Sequence, residues 1–264
     1  MMLNDKLEKL EKILKDMDRF VIAYSGGVDS TFLLAVSRKV IGKENLLAVT
    51  AQTEVESKED IEDAKKICNL LDVNHEVIKY SLLGNINFSS NPFNRCYFCK
   101  KILIKKLKEI AEKRNFKWIV DGTNAEDEED IRYGKIALAE EGVRSPLKEA
   151  GLRKEEIRYI SKEMGIPIWD KASNACLASR IPIGVPVTIS SLKRIEEGEK
   201  LLKKFGFKVV RLRDHFPIAR IELEEIEKIL QKEIREEVVK GLKELGYKFI
   251  TIDLEGYRFA SFHR

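Results

Sequence analysis

Along the first 17 residues, Leu3, Leu7, Leu10, Leu14 and Met17 recur at steps of three and four. That spacing is the apolar stripe of one helix. The period then changes. FVIAY (20–24) is an unbroken apolar, β-branched run that stops at a glycine pair, as expected of a parallel strand buried on both faces. Asp29 and Ser30 open an apolar helix, TFLLAVSRKV. The alternation continues with a strand at 46–50 (LLAVT), a helix at 57–71, a strand at 75–80 (HEVIKY), a helix at 101–114 and a strand at 118–122 (WIVDG). A further helix, 153–164, is stopped by Gly165 and Pro167. Strands alternating with helices predict an α/β fold with a parallel sheet and right-handed crossovers.

Pro182 and Pro186, within IPIGVPVT, interrupt this style. Beyond them the pattern predicts a helix at 190–205, short strands in FKVVRLR and IARIEL, a charged helical stretch, and a last strand in YKFITIDL. We therefore expect a large domain over residues 1–185 and a small α+β domain over 186–264. The length of 264 residues suits one large domain with an appendage.

Composition narrows the function. The chain carries 48 basic and 44 acidic residues, a balance of +4. Lys and Glu are interleaved, as in KLEKLEKILK, which reads as solvated helix faces. A nucleic-acid binder concentrates basic residues in runs, so no nucleic-acid partner is expected. The absence of an 18-residue apolar run argues against a membrane span. The charged N-terminus does not resemble a signal peptide, and we expect a cytoplasmic protein. Four cysteines in 264 residues are too few for a disulfide scaffold.

The most informative motif is AYSGGVDS (23–30), at the end of the first strand and the start of the next helix. Gly26 and Gly27 permit a tight turn that aims backbone N–H groups at one point. The helix N-terminus adds partial positive charge, so an anion is favoured there. The lysine of a Walker loop is missing, and so is the GxGxxG of a dinucleotide fold. Ser25 and Ser30 supply hydroxyls and Asp29 a carboxylate. A carboxylate beside bound phosphates implies Mg²⁺ between them. SGGxDS after an apolar strand is similar to the PP-loop signature of the N-type ATP pyrophosphatases, which cleave ATP between the α and β phosphates. The run SPLKEAGLRKEEIRYISKEMGIP (145–167) resembles another segment of that superfamily. Asp121, Asn124 and Asp127 stand at and beyond the end of the fourth strand, where α/β folds bind ligands, although an acidic helix start explains them equally well.

Cys96 and Cys99 form a C-x-x-C in NRCYFCK. That spacing serves a zinc half-site, a redox pair, half of an iron–sulfur site, or two buried thiols. Cys176 lies in SNACLASRIP, four residues before Arg180, a neighbour that favours the thiolate. Cys68 falls on an apolar helix face and reads as core. His75 or His215 would have to complete a zinc site, and their spacing does not call for it. Arg211 and Arg213 alternate with apolar residues in VVRLR, so they share a strand face, and paired guanidiniums suit a phosphate.

SGGVDS, CLASR, the R-x-R of VVRLRDH, ARIEL and the terminal DLEGYR together resemble the LarE family of ATP-dependent sulfur transferases in nickel-pincer nucleotide synthesis. The resemblance covers essentially the whole chain. It implies a Rossmann-like domain of the adenine nucleotide α-hydrolase type, followed by a small domain for substrate binding and oligomerisation. The implied reaction adenylates a carboxylate of pyridinium-3,5-biscarboxylic acid mononucleotide with ATP and Mg²⁺. Sulfur then displaces AMP, giving a thiocarboxylate. The resemblance assigns the loop Ser25, Gly26, Gly27, Val28, Asp29 and Ser30 to ATP, and Arg211 and Arg213 to the substrate's phosphate, with Glu222 beside them. Ser179 and Arg180 would position the acyl-adenylate near Cys176. One branch of the family gives up the sulfur of the cysteine matching Cys176 and lacks the C-x-x-C. This chain has it, and so resembles the branch in which three cysteines, here Cys96, Cys99 and Cys176, hold a 4Fe–4S cluster. A homo-oligomer is also implied. The rivals are another PP-loop enzyme, such as a tRNA thiolase, and a nucleotide-binding regulator without chemistry.

Overall fold

The computed structural model describes residues 2–126, 133–171 and 175–258. The chain forms two compact units. The first comprises Met1–Ser81 and Asn94–Asn174, the second Leu82–Phe93 and Ala175–Arg264.

In chain order the elements begin with α1 (Leu3–Met17), β1 (Phe20–Ala23), α2 (Val28–Ile41), β2 (Leu46–Gln52), α3 (Lys58–Leu70) and β3 (Asn74–Lys79). The short α4 (Ile86–Ser89) belongs to the second unit. The first unit resumes with α5 (Arg95–Lys113), β4 (Trp118–Val120), α6 (Tyr133–Glu140), α7 (Pro146–Ala150) and α8 (Lys154–Glu163). Its strands pair in parallel in the order β3-β2-β1-β4. The alternation within β1 shows why it reads as unbroken apolar sequence. Phe20 and Ile22 enter a core with Leu10 and Leu14 of α1, Phe32 and Leu33 of α2, Ala64 of α3 and Ile157 of α8. Val21 enters the opposite core with Leu107 and Ala111 of α5. Each such side chain contributes roughly 1.5–3 kcal/mol by leaving water.

Helix α5 begins at Arg95, six residues before the expected start at 101, so Cys96 and Cys99 lie within its first turns. Asn94 at the N-cap makes no side-chain capping bond, so the usual capping signal is missing. Cys68 is fully buried in the α3 core, as expected, and burial pushes its thiol up to about 12.

The second unit holds α4, a 3-10 turn (Leu177–Arg180), α9 (Ile189–Lys204), β5 (Val210–His215), β6 (Ile218–Leu223), α10 (Ile226–Ile229), α11 (Lys232–Glu244) and β7 (Phe249–Ile252). β5 and β6 are antiparallel and β6 and β7 parallel. Leu202 of α9 and Val238 and Leu242 of α11 pack with Leu212, Ile221 and Leu223 of the sheet. The segment 82–93 joins this unit through buried Asn91. Its Nδ2 donates to the carbonyls of Pro182 (2.8 Å) and Val185 (2.9 Å), and its own carbonyl accepts from Gly184 N (2.9 Å). Among the described residues, no helix is long and apolar enough to cross a membrane.

Candidate active site

The loop between β1 and α2 is built around two hydroxyls. Ser30 Oγ donates to Gly27 O (3.1 Å), so the 3.0 Å contact between Ser25 Oγ and Ser30 Oγ is donated by Ser25. Ser25 Oγ in turn accepts Gly27 N–H at 3.3 Å. Gly26 has φ +70°, and a β-carbon there would stand 3.3 Å from Ala64 Cβ. Backbone conformation and the close approach of α3 both require glycine. Gly27 caps α2 without a side-chain acceptor, and the first N–H groups of a helix have no intrahelical carbonyl to reach. The bonded hydroxyls therefore brace the loop, and the first N–H groups of α2 stand at the positive end of that helix. Ser25, Gly26, Gly27, Val28, Asp29 and Ser30 are brought together here.

Asp29 stands in the first turn of α2, and Asn124 Nδ2 donates to its Oδ2 at 3.1 Å. Asn124 is buried and its Oδ1 accepts Glu126 N–H at 2.9 Å, which fixes the amide's orientation. Asp121 is turned to structural use. Thr123 Oγ1 and Ser145 Oγ each donate to its carboxylate at 2.6 Å. Asp127, the third acidic candidate, lies outside the described residues. Gly122 is a site residue that the sequence pattern does not mark. A β-carbon on it would stand 2.8 Å from Ser30 N and 2.9 Å from Ser30 Cα, so only glycine lets the end of β4 approach the phosphate loop.

In the second unit, Cys176 is half-buried, in no disulfide, and stands at the N-cap of the 3-10 turn. Arg180 is 2% exposed. Its Nη1 donates to the carbonyls of Ala175 and Cys176 and to Ser179 Oγ, while Nε and Nη2 grip Glu199 at 2.9 and 3.1 Å. Glu199 also accepts Leu212 N–H at 3.1 Å. Arg213 is 7% exposed and holds Glu222 through Nε at 2.9 Å and Nη2 at 2.8 Å, and its Nη1 reaches Ser179 O at 2.8 Å. Two buried Arg–Glu pairs thus clamp the turn that carries Cys176 and Ser179. Arg211 differs. Its guanidinium lies 5.2 Å from the Tyr257 ring centroid, and burial, with Arg180 and Arg213 nearby, holds its pKa below the ordinary arginine value. A half-buried cation among like charges favours an anion. Glu199 was hidden among the Lys and Glu of α9, although its place in the series Leu192, Ile195, Glu199, Leu202 marks it as core-facing.

Cys96 is exposed and Cys99 half-buried, neither in a disulfide, three residues apart on α5 and so on one helix face. They belong to the first unit and Cys176 to the second. Burial, with Cys99 and Glu56 nearby, raises the pKa of Tyr80 at the end of β3. Thiols at this spacing suit two corners of an iron–sulfur site. No group of three His, Cys, Asp or Glu stands at metal-holding distance among the described residues.

Comparison with known proteins shows the family and the fold. Residues 2–182 match the family model described as NAD synthase. An uncharacterised protein of Synechocystis sp. is 39% identical over 100% of this chain and 98% of its own length. The pyridinium-3,5-bisthiocarboxylic acid mononucleotide synthase of Lactiplantibacillus plantarum is 33% identical over 96% of this chain and 92% of its own. The solved structure of NMN synthetase from Francisella tularensis superposes with a TM-score of 0.53 at 20% identity, covering 66% of this chain and 76% of that one, which shows a shared fold. The chain belongs to the LarE family of ATP-using PP-loop enzymes, within the broader NAD synthase family.

Proposed function

We propose that the protein is an ATP-dependent sulfurtransferase acting on pyridinium-3,5-biscarboxylic acid mononucleotide. The observation that carries this reading is the Ser25–Ser30 loop at the start of α2, with its linked hydroxyls, a carboxylate at 29, and no Walker lysine. The loop holds the β and γ phosphates and leaves the α phosphorus open to a substrate carboxylate. One carboxylate oxygen forms a bond to the α phosphorus as the α–β bridging P–O bond breaks, and pyrophosphate leaves with the electron pair. A sulfur nucleophile then adds to the acyl carbon and AMP departs, leaving a thiocarboxylate. The carboxylate is already a nucleophile, so the first step needs no general base.

Asp29 would hold Mg²⁺, which binds through one or two carboxylates and substrate phosphates and neutralises charge on the departing pyrophosphate. Asn124 orients that carboxylate. Arg211 takes the mononucleotide phosphate, while Arg213 and Arg180 hold the Cys176 turn. Ser179 lies between the two arginines, where it positions the acyl group. Cys96, Cys99 and Cys176 are the thiols that would hold a 4Fe–4S cluster, whose chemistry here is delivery of sulfide. Without one, Cys176 is the donor. Its thiolate attacks the acyl carbon, the Cβ–S bond then breaks with loss of the Cα proton, and dehydroalanine remains. Residues 186–264 serve as the substrate-binding and assembly domain of a homo-oligomer.

Mass spectrometry of a single-turnover reaction tests this. AMP, pyrophosphate and a thiocarboxylated product are expected. ADP and phosphate would contradict it. A polypeptide lighter by one hydrogen sulfide identifies Cys176 as donor, and an unchanged mass identifies sulfide.

A further inference from the structure

The first unit carries a cavity at the amino ends of its strands, away from the phosphate loop. Arg19 immediately precedes β1, Glu44 precedes β2, Asn74 opens β3, and Phe116 precedes β4. All line one pocket of about 530 Å³ at the amino ends of the strands. The phosphate loop follows the carboxyl end of β1, so the length of that strand separates the two places. The volume lies in the range of small-molecule sites.

The anomaly in this pocket is Arg19. Its guanidinium lies over the Phe116 ring at 4.5 Å from the centroid. Its Nε is sealed from solvent and meets no hydrogen-bond acceptor among the described residues. It forms no ion pair among them either, although Glu44 lines the same cavity. The other arginine of the pocket, Arg114, is satisfied by Glu76. With Nε turned away from solvent beside Phe116, the accessible part of the guanidinium is its Nη pair, which makes no hydrogen bond or ion pair among the described residues and so offers a charge-assisted donor to an occupant of the cavity. Asp18 has φ +60° and ψ −58°, and Arg19 N–H donates to Met17 O at 2.6 Å. This is a γ-turn with positive φ at a non-glycine residue, which is rare and strained. The strained turn delivers Arg19 into the cavity. His75, also on the wall, is occupied by Thr50 through Nε2 at 2.9 Å, and burial lowers its pKa.

We infer that this pocket binds a small metabolite bearing an oxyanion, a carboxylate or a phosphate, against Arg19, with a hydroxyl donor facing Glu44. The site is independent of the sulfur-transfer reading. Glycerol 3-phosphate and malate are suitable probes, since each carries an oxyanion and a hydroxyl. In wild-type protein the Nε–H resonance of Arg19, assigned through its contacts to the Phe116 ring, should shift saturably with one probe. The responding probe identifies phosphate or carboxylate. Calorimetry should show Arg19→Gln weakening that probe at least ~10-fold, with binding retained in Ser25→Ala. The inference is overturned if neither probe moves the Arg19 resonance. It is also overturned if Arg19→Gln binds as tightly as wild type, or if Ser25→Ala abolishes all binding.

Discussion

Arg211 and Arg213 stand two residues apart on β5, yet their surroundings give them different work. Arg213 is locked to Glu222, which is 1% exposed. Removing one partner of a buried pair leaves the other charge uncompensated. Arg213→Met should therefore cost about 3–5 kcal/mol in chemical denaturation. Arg211 lies half-buried beside Arg180 and Arg213, so Arg211→Met should leave stability nearly unchanged. Its KM for the mononucleotide should instead rise roughly 10-fold or more, the worth of a hydrogen bond to a charged group. Equal stability losses in the two variants would contradict the division of roles. Asp29 makes a parallel case in the first unit. If it holds Mg²⁺ against the leaving pyrophosphate, Asp29→Ala should lower kcat about 10²-fold while the ATP dissociation constant moves only a few-fold. Unchanged turnover would make Asp29 merely a favourable charge at the start of α2.

At the scale of elements, the site depends on how closely β4 approaches α2. The glycine at 122 allows this contact, because a β-carbon would fall on the backbone of Ser30. Backbone cannot step aside as a side-chain tip can, so Gly122→Ala should push the loop out of shape. Stability should fall by about 1–3 kcal/mol, and equilibrium dialysis should find ATP bound at least several-fold more weakly. Wild-type affinity would show that the loop tolerates the shift. Strands β1, β2 and β4 and the loop after β1 were legible because burial writes itself as apolar runs. The start of α5 was not, since no capping side chain announces it. Nor was the membership of 82–93 in the second unit, which rests on Asn91 and carbonyls about ninety residues away. Glu199 shows the same limit at the site, its partner Arg180 being nineteen residues away, whereas Glu222 was already placed beside the β5 arginines.

For the whole molecule, a charge of +4 from 92 ionised side chains (48 plus 44) leaves no broad field to gather anions. Affinity for phosphate must come from local devices. We propose three such devices: the loop at 25–30, Arg211 in the second unit, and Arg19 at the amino ends of the strands. The cysteines divide along the same lines, one in the core and three accessible to chemistry. The central claim is that a substrate carboxylate attacks the α phosphorus. Substrate labelled with oxygen-18 in its carboxylates tests it most directly. The account predicts that the AMP released in one turnover carries a single oxygen-18 on its phosphate, with unlabelled pyrophosphate. Label in pyrophosphate or inorganic phosphate, or unlabelled AMP, would contradict it.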